Sequence, residues 1–172
     1  MKILVTGTPG SGKTSIAKEL SKLLKLPYVD VKQVINTHPG TVDRKDGEEL
    51  IINEKLKKVL EKTLPKNCIY ETHLIEYCPK ADLTIILRVN PVVLKKRLTK
   101  RGYSKQKIID NLEVEILDYF TQLVKSGKVI EYDCSKNTAK INALKIKKLI
   151  EQKKYNKGEF KHKLAEIKKA LF

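Results

Sequence analysis

The 172-residue chain has the length of a single domain and carries a formal net charge of +16 at pH 7. Its hydrophobic fraction of 41% and charged fraction of 33% are those of a soluble globular protein. No segment resembles a membrane span or a signal peptide, so we predict a cytoplasmic protein without a membrane partner. The three cysteines lack metal-ligand spacing and are predicted to be reduced thiols.

The positive charge leaves two interpretations open. It could attract a polyanionic partner such as RNA. It could also reflect composition, because all but four of the 36 basic residues are lysines, a bias that also occurs in thermophile proteins. Residues 136–172 contain twelve lysines against three glutamates, so this segment alone contributes +9.

Apolar runs alternate with amphipathic segments along the chain, which predicts an α/β fold with a parallel sheet. The predicted strands cover residues 3–6, 26–29, 68–71, 83–89 and 129–132. Predicted helices cover residues 16–24, 91–100, 108–123 and 140–154, with Gly158 as a helix stop. Residues 31–63 form an excursion between the second and third strands, with turn signals at His38-Pro39-Gly40 and Asp46-Gly47.

The last segment places four apolar residues, Phe160, Leu164, Ile167 and Leu171, at helical spacing. We therefore predict a basic amphipathic helix over residues 155–172, following a domain that covers residues 1–154. Its lysines either serve an anionic surface such as RNA or form the solvated face of a docked helix.

Residues 7–14 match the pattern G-x-x-x-x-G-K-[ST] between a predicted strand and a predicted helix. In such a loop, glycines let successive backbone N–H groups converge on a phosphate at the positive end of the helix dipole. Lys13 would contact the β- and γ-phosphates, and the Thr14 hydroxyl would ligate Mg²⁺. The candidate ATP-binding residues of this loop are Gly7, Pro9, Gly10, Ser11, Gly12, Lys13, Thr14 and Ser15.

Further candidates stand where strands and helices end. Glu71 and His73 follow the third strand, and a parallel sheet places its working residues at the carboxyl ends of its strands. Arg97 and Arg101 are four residues apart, so they share one helix face. Each of these residues could instead be an ordinary surface or hydrogen-bonded residue, and Arg44 could simply pair with a neighbouring aspartate.

These residues carry a family resemblance over residues 1–138. The chain resembles the adenylate kinase isoenzyme 6 family, small nucleotide kinases and ATPases linked to maturation of the small ribosomal subunit. The resemblance rests on the phosphate loop, the Glu71/His73 pair, Leu87-Arg88, Arg97-Leu98, Arg101-Gly102-Tyr103, Lys107-Ile108, Asn111 and Glu115-Ile116-Leu117-Asp118.

The resemblance implies a P-loop NTPase fold of the nucleoside monophosphate kinase type. Helices would cover both faces of a five-stranded parallel sheet, with an inserted monophosphate-binding arm over residues 30–53 and a short lid over residues 100–110. It also implies that Arg101 contacts the ATP phosphates, while Arg97 and Ser135 border the adenine. Asp30, Arg44 and His73 would bind the nucleoside monophosphate.

The resemblance further implies that Glu71 holds Mg²⁺ through water, and that Lys13, Glu71, His73 and Arg101 are catalytic. Two departures stand out. Glu71 replaces the usual aspartate of the family and, being one methylene longer, is expected to alter the geometry and the rate while still holding a Mg²⁺-bound water. In contrast to the long adenylate kinases, no arginine follows Arg101, which argues against a high turnover.

The expected function is Mg²⁺-dependent transfer of the γ-phosphate of ATP to a nucleoside monophosphate, with AMP as the first candidate. An ATPase activity of the same site would serve ribosome assembly, with a ribosomal protein and small-subunit rRNA as partners. Two alternatives remain. One is a small-molecule kinase with a hydroxyl acceptor, for which Asp30, Asp43 or Asp46 could be the base. The other is an ATPase that only switches a protein interface.

Overall fold

The computed structural model describes the backbone of residues 1–45 and 49–171, and the side chains of residues 1–43 and 52–171. Seven strands are assigned in this part of the chain: β1 (Lys2–Gly7), β2 (Tyr28–Asp30), β3 (Val42–Lys45), β4 (Glu49–Ile52), β5 (Cys68–Glu71), β6 (Leu83–Arg88) and β7 (Lys128–Asp133). The α-helices are α1 (Lys13–Leu24), α2 (Val31–Thr37), α3 (Lys55–Thr63), α4 (Pro91–Lys100), α5 (Lys105–Ile116), α6 (Tyr119–Leu123), α7 (Ala139–Glu151) and α8 (Leu164–Leu171). No helix in these ranges is both long and apolar enough to span a membrane.

The main sheet has five parallel strands in the order β2-β5-β1-β6-β7. Alternate residues of the central strand β1 face opposite sides, as the period of a strand requires. Ile3 and Val5 pack under α1, α4, α5 and α7, while Leu4 packs with the buried apolar residues of α2 and α3. The predicted five-stranded parallel sheet with helices on both faces is therefore confirmed.

Local sequence explains where the helices near the loop begin. The Asn90 side chain accepts hydrogen bonds from the backbone N–H groups of Val92 and Val93, and Pro91 occupies the first turn of α4. Ser104 caps α5 in the same way through the N–H of Lys107. These caps fix the short turn of residues 101–104 between α4 and α5, and the lid predicted over residues 100–110 covers this turn and the first half of α5.

The excursion between the second and third strands contains more structure than its turn signals predicted. Strands β3 and β4 pair antiparallel in a separate two-stranded sheet, which sits between α2 and α3 in the chain. The predicted turn at His38-Pro39-Gly40 coincides with a 3₁₀ helix over Pro39–Thr41. The predicted turn at Asp46-Gly47 lies outside the described residues.

Two helix predictions after the fourth strand need correction. The single helix predicted over residues 108–123 divides into α5 and α6, because Asp118 adopts a left-handed conformation with φ of 55°. Helix α7 ends at Glu151 with Gln152 as its cap, so Gly158 does not stop a helix. Gly158 lies in an irregular segment instead, where its N–H donates a 2.7 Å hydrogen bond to Glu131 Oε1.

The predicted C-terminal helix over residues 155–172 is also wrong in its extent, since residues 155–163 are not helical and α8 begins at Leu164. The predicted apolar stripe is not the buried face: Leu164 is 66% exposed and Leu171 is 40% exposed, whereas Ala170 is 1% exposed. Helix α8 packs on α4 and α5, and Phe160 lies in the non-helical segment before it. Periodicity failed here because it does not reveal where a helix begins.

Candidate active site

The phosphate loop connects β1 to α1 in the conformation that its glycines permit. Gly7, Gly10 and Gly12 all have positive φ, at 137°, 92° and 95°. A Cβ atom on Gly7 would lie 2.5 Å from the backbone oxygen of Leu87, so only glycine fits against the neighbouring strand β6. The N–H of Ser11 donates to the carbonyl of Thr8 at 3.0 Å and closes the turn.

Lys13 lies within this loop rather than pointing away from it. Its Nζ atom donates to the carbonyl oxygens of Gly7 at 2.8 Å and Thr8 at 3.3 Å. Burial lowers the pKa of Lys13 to about 8; the carboxylate of Glu71 opposes this shift, and the charge of Arg101 adds to it. A phosphate entering the loop would meet a cation that water solvates poorly.

Glu71 ends strand β5 beside the loop, and its side chain contacts two elements. The Thr14 hydroxyl donates a 2.6 Å hydrogen bond to Glu71 Oε1, and the Tyr28 hydroxyl donates to the same oxygen at 3.3 Å. Burial, together with the charge of Glu71, raises the pKa of Tyr28, so its hydroxyl remains a donor. The pairing of β2 with β5 brings Asp30 opposite Glu71 and creates this polar corner.

The oxygen atoms of Thr14 and Glu71 fit Mg²⁺, which prefers hard oxygen ligands. The described residues contain no cluster of three or more His, Cys, Asp or Glu side chains that could hold a metal ion. That is compatible with magnesium at a phosphate-binding site, because the ion can be held there by one or two protein groups together with phosphates and water. Thr14 and Glu71 are the residues that would hold it here.

One cleft of about 550 Å³ brings most of the predicted site residues together. It is lined by Pro9, Gly10, Gly12, Lys13, Thr14, Ser15, Asp30, Lys32, Ile35, Ile52, Glu71, Thr72, His73, Leu74, Arg101 and Tyr103. Partial desolvation and the charge of Lys13 lower the pKa of His73, so the imidazole is neutral at pH 7. Asp30 accepts a 2.9 Å hydrogen bond from the N–H of Lys32 and caps α2.

A smaller cleft of about 200 Å³ is also lined by the loop, together with Arg97. The Arg97 guanidinium joins the loop to the residues after β7, because it donates to the carbonyl oxygen of Gly10 at 3.4 Å and to that of Cys134 at 3.0 Å. Ser11, Arg101, Asn137 and Asn142 also line this cleft.

Two predicted residues, Ser135 and Gly7, do not line these clefts, and a third, Arg44, has a side chain outside the described residues. The hydroxyl oxygen of Ser135 accepts a 2.7 Å hydrogen bond from the N–H of Asn90, so this side chain connects β7 to the start of α4. Gly7 supports the loop from behind, against β6. The backbone of Arg44 belongs to β3, but its side chain lies outside the described residues.

Sequence reasoning missed several lining residues. Lys32 places a cation at the start of α2, and Ile35, Ile52 and Leu74 supply an apolar wall to the larger cleft. The sequence held one usable signal, since Lys32 follows the N-cap Asp30 at the carboxyl end of a strand. Asn137 and Asn142 gave no signal, because only the folding of α7 against the loop brings them to the smaller cleft.

The comparisons with known proteins agree with this geometry. A family model described as an AAA domain matches residues 3–118. A protein of Thermococcus onnurineus is 38% identical over 77% of this chain and 74% of its own length. One of Methanocaldococcus jannaschii is 34% identical over 92% of this chain and 90% of its own length. Both are named "Putative adenylate kinase".

The chain belongs to this adenylate kinase-like family of P-loop proteins. Solved structures of other kinases share the fold of this family. Shikimate kinase from Acinetobacter baumannii superimposes with a TM-score of 0.66 at 19% identity, covering 90% of this chain and 95% of that one. Deoxyadenosine kinase from M. mycoides gives a TM-score of 0.57 at 19% identity, covering 88% and 100%.

Membership in the adenylate kinase-like family makes the protein a P-loop phosphotransferase of the nucleoside monophosphate kinase type. It implies the use of ATP, typically with Mg²⁺.

Proposed function

We propose that the protein transfers the γ-phosphate of ATP to AMP in a magnesium-dependent reaction. The observation that carries the proposal is the larger cleft, a single cavity lined by both the phosphate loop and the start of α2. A phosphate donor held by Lys13 and Thr14 would share this space with an acceptor near Asp30, Lys32 and His73. Phosphoryl transfer needs this juxtaposition because positioning supplies most of its catalysis.

The residues have distinct proposed roles on the ATP side. Lys13 and Arg101 would bind the phosphates and stabilise the charge that develops during transfer. Arg97 would border the adenine in the smaller cleft, next to Asn137 and Asn142. Thr14 and Glu71 would hold Mg²⁺, Glu71 through water, and the ion would neutralise the charge on the β- and γ-phosphates.

On the acceptor side, Asp30, Arg44 and His73 are the proposed nucleoside monophosphate ligands, and we add Lys32. Among the described side chains of the arm, residues 30–53, Lys32 is the one lysine that lines this cleft. Neutral His73 would orient the acceptor phosphate or a water without adding positive charge. The apolar wall of Ile35, Ile52 and Leu74 suits a nucleobase, which favours a nucleotide acceptor.

The test is a product assay with purified protein, ATP and Mg²⁺. Formation of two ADP per ATP and AMP consumed, well above phosphate release from ATP alone, supports the proposal. Phosphate release that AMP does not alter favours an ATPase switch. The Lys13→Ala variant controls for contaminating kinases, since losing its charge should lower turnover by about 10²-fold or more.

A kinase with a hydroxyl acceptor is the second candidate, and the Asp30 carboxylate in the larger cleft favours it. Its Oδ1 atom is occupied by the N–H of Lys32, which leaves Oδ2 to accept a proton. ATP turnover stimulated by a polyol or sugar but not by any nucleoside monophosphate, and lost in Asp30→Asn, would establish this alternative.

We further propose that the enzyme acts in small ribosomal subunit maturation, in contact with small-subunit rRNA or a ribosomal protein. The charge of residues 136–172 supports this proposal, because Lys153, Lys154, Lys161, Lys163, Lys168 and Lys169 are all exposed. Affinity for an rRNA fragment should fall steeply with salt. Binding that is no tighter than that of another protein of equal net charge would contradict the proposal.

A further inference from the structure

A buried carboxylate lies behind the phosphate loop. Glu115, on α5, is 2% exposed. Its Oε2 atom accepts a 2.6 Å hydrogen bond from the hydroxyl of Thr8, the second residue of the loop. Its Oε1 atom accepts from Arg88 Nε at 2.8 Å and from the N–H of Val89 at 3.2 Å, and lies 3.1 Å from His162 Nε2.

These donors decide the charge state of Glu115. Burial alone would raise its pKa, but the hydrogen bonds from His162, Thr8 and Arg88, together with the charge of Arg88, hold the pKa below its usual value. Glu115 is therefore an ionised carboxylate, and each of its two oxygens is contacted by different groups. The Oε2 atom contacts the loop through Thr8. The Oε1 atom contacts Arg88 and the C-terminal segment, by which we mean residues 156–171.

Thr8 connects this carboxylate to the groups that would meet phosphate. Its side chain is fully buried and does not line the larger cleft, so it can act only through its neighbours. Its carbonyl oxygen accepts from the N–H of Ser11 and from Lys13 Nζ. A displacement of Thr8 would therefore move both the closing turn of the loop and its lysine.

His162 reaches Glu115 from the C-terminal segment, and its side chain is 2% exposed. Among the described residues its Nδ1 atom has no hydrogen-bond partner, and its Nε2 atom lies 3.1 Å from Glu115 Oε1 and 3.2 Å from Arg88 Nη2. The ring of Phe160 lies 4.7 Å from the Arg88 guanidinium and covers the same network. Asn156 fixes the start of the segment to β7 through hydrogen bonds in both directions with the backbone of Glu131.

We propose that residues 156–162 are a positioning element of the nucleotide site. In this arrangement His162 donates to Glu115, which holds Thr8 and thereby keeps the loop and Lys13 in their phosphate-binding geometry. The C-terminal segment thus contributes to nucleotide binding without touching the nucleotide. The inference rests on the proposed function only in that the loop binds ATP phosphates, and it holds for AMP, hydroxyl or water as the acceptor.

The test measures ATP affinity by calorimetry, with KM and kcat measured on whichever turnover the enzyme shows. His162→Ala should weaken ATP binding and raise the KM for ATP by about 10-fold, the factor for one hydrogen bond to a charged group. His162→Gln should restore most of the affinity, because its amide N–H can replace the Nε2 donor. If His162→Ala does not fold, His162→Asn takes its place, since its shorter amide falls short of Glu115.

The matched control is Lys95→Met. Lys95 Nζ donates to the carbonyl of Ala170, so this variant also removes a contact between the body and the C-terminal segment, but away from Glu115. It should leave ATP affinity unchanged. An equal loss of affinity in Lys95→Met and His162→Ala would overturn the proposal, because docking of the segment as such would then be responsible.

A double-mutant cycle with Thr8→Val tests whether the effect passes through Glu115. If it does, adding His162→Ala to Thr8→Val should weaken ATP binding much less than it does in the wild type. The proposal would be overturned if the losses of ATP affinity in the two single variants simply multiplied in the double variant. It would also be overturned if the His162→Ala protein had a lower Tm but normal ATP affinity. Normal ATP binding without AMP phosphorylation in the unmodified protein would contradict only the proposed function.

Discussion

Thr14 Oγ1 donates a 2.6 Å hydrogen bond to Glu71 Oε1, which joins the first turn of α1 to the carboxyl end of β5. The two groups proposed to hold Mg²⁺ are thus neighbours within the protein itself. Glu71 is 8% exposed. Its side chain, which is one methylene longer than that of aspartate, is therefore accommodated in a buried position at the carboxyl end of β5. Tyr28 limits the freedom of this side chain from the β2 side.

This geometry predicts that Glu71→Gln impairs phosphoryl transfer and ATP hydrolysis together. Both reactions need the same metal position, and an amide holds a magnesium-bound water less well than a carboxylate. We expect a loss of about 10-fold or more in both rates and a higher Mg²⁺ concentration for half-maximal activity. Glu76→Gln, which removes an exposed acid outside the larger cleft, is the control. Rates within threefold of wild type would leave Glu71 with a structural role only.

The lowered pKa of Lys13 predicts proton uptake when ATP binds. A free lysine keeps its proton up to about pH 10.5, whereas Lys13 loses it near pH 8. Between these values the nucleotide-free protein lacks a charge that a bound phosphate would stabilise, so binding restores the proton. At pH 8.5, calorimetry in buffers of different ionisation enthalpy should therefore show net proton uptake. The Lys13→Met variant should show none, and uptake that persists in it would assign the proton to another group.

How far the sequence predicted this site depends on the range of the interactions. The phosphate loop and the strands of the main sheet were predictable, because each rests on a local pattern of glycines or apolar residues. The network of Arg88, Glu115 and His162 was not, since 74 residues separate Arg88 from His162. Arg88 ends a strand that is otherwise apolar except for Thr84, and no periodicity indicates which carboxylates will surround it.

The irregular elements were missed for a related reason. Asp118 interrupts an apolar pattern that continues from α5 into α6, and only its left-handed backbone reveals the break. The C-terminal segment was predicted from an apolar stripe, yet its deepest contacts are made by His162 and Ala170. A buried histidine looks like a surface residue in a sequence until its partners are known.

Lys32 supplies a specific prediction for the acceptor. It lines the larger cleft from α2, and the phosphate loop lines the same cleft. We expect Lys32→Met to raise the KM for AMP by about 10-fold while the KM for ATP stays within twofold, because one phosphate contact is lost. The control is Lys57→Met, which removes an exposed lysine of α3 and so changes the net charge by the same amount. Equal effects of the two variants would mean that net charge, and not an acceptor contact, is responsible.

The ion pairs of Arg88 predict a large loss of stability when the guanidinium is removed. Arg88 is 3% exposed and donates to Glu115 and to Glu131, which is also buried. Asp118 is a third, more exposed partner. In Arg88→Met the two buried carboxylates would remain without their cation, and breaking a buried ion pair in this way costs about 3–5 kcal/mol.

Urea unfolding followed by circular dichroism measures this loss in the full chain. Arg88→Met should lower the midpoint strongly at an unchanged m-value. Adding Glu131→Gln should recover part of the stability, because it removes one of the two stranded charges. Lys147→Met is the control, since the partly exposed pair of Lys147 with Glu151 contributes about 0–1 kcal/mol. If Arg88→Met unfolds no more readily than Lys147→Met, the buried carboxylates must take up protons when their partner is lost, and the loss of stability would then reappear as the pH is raised.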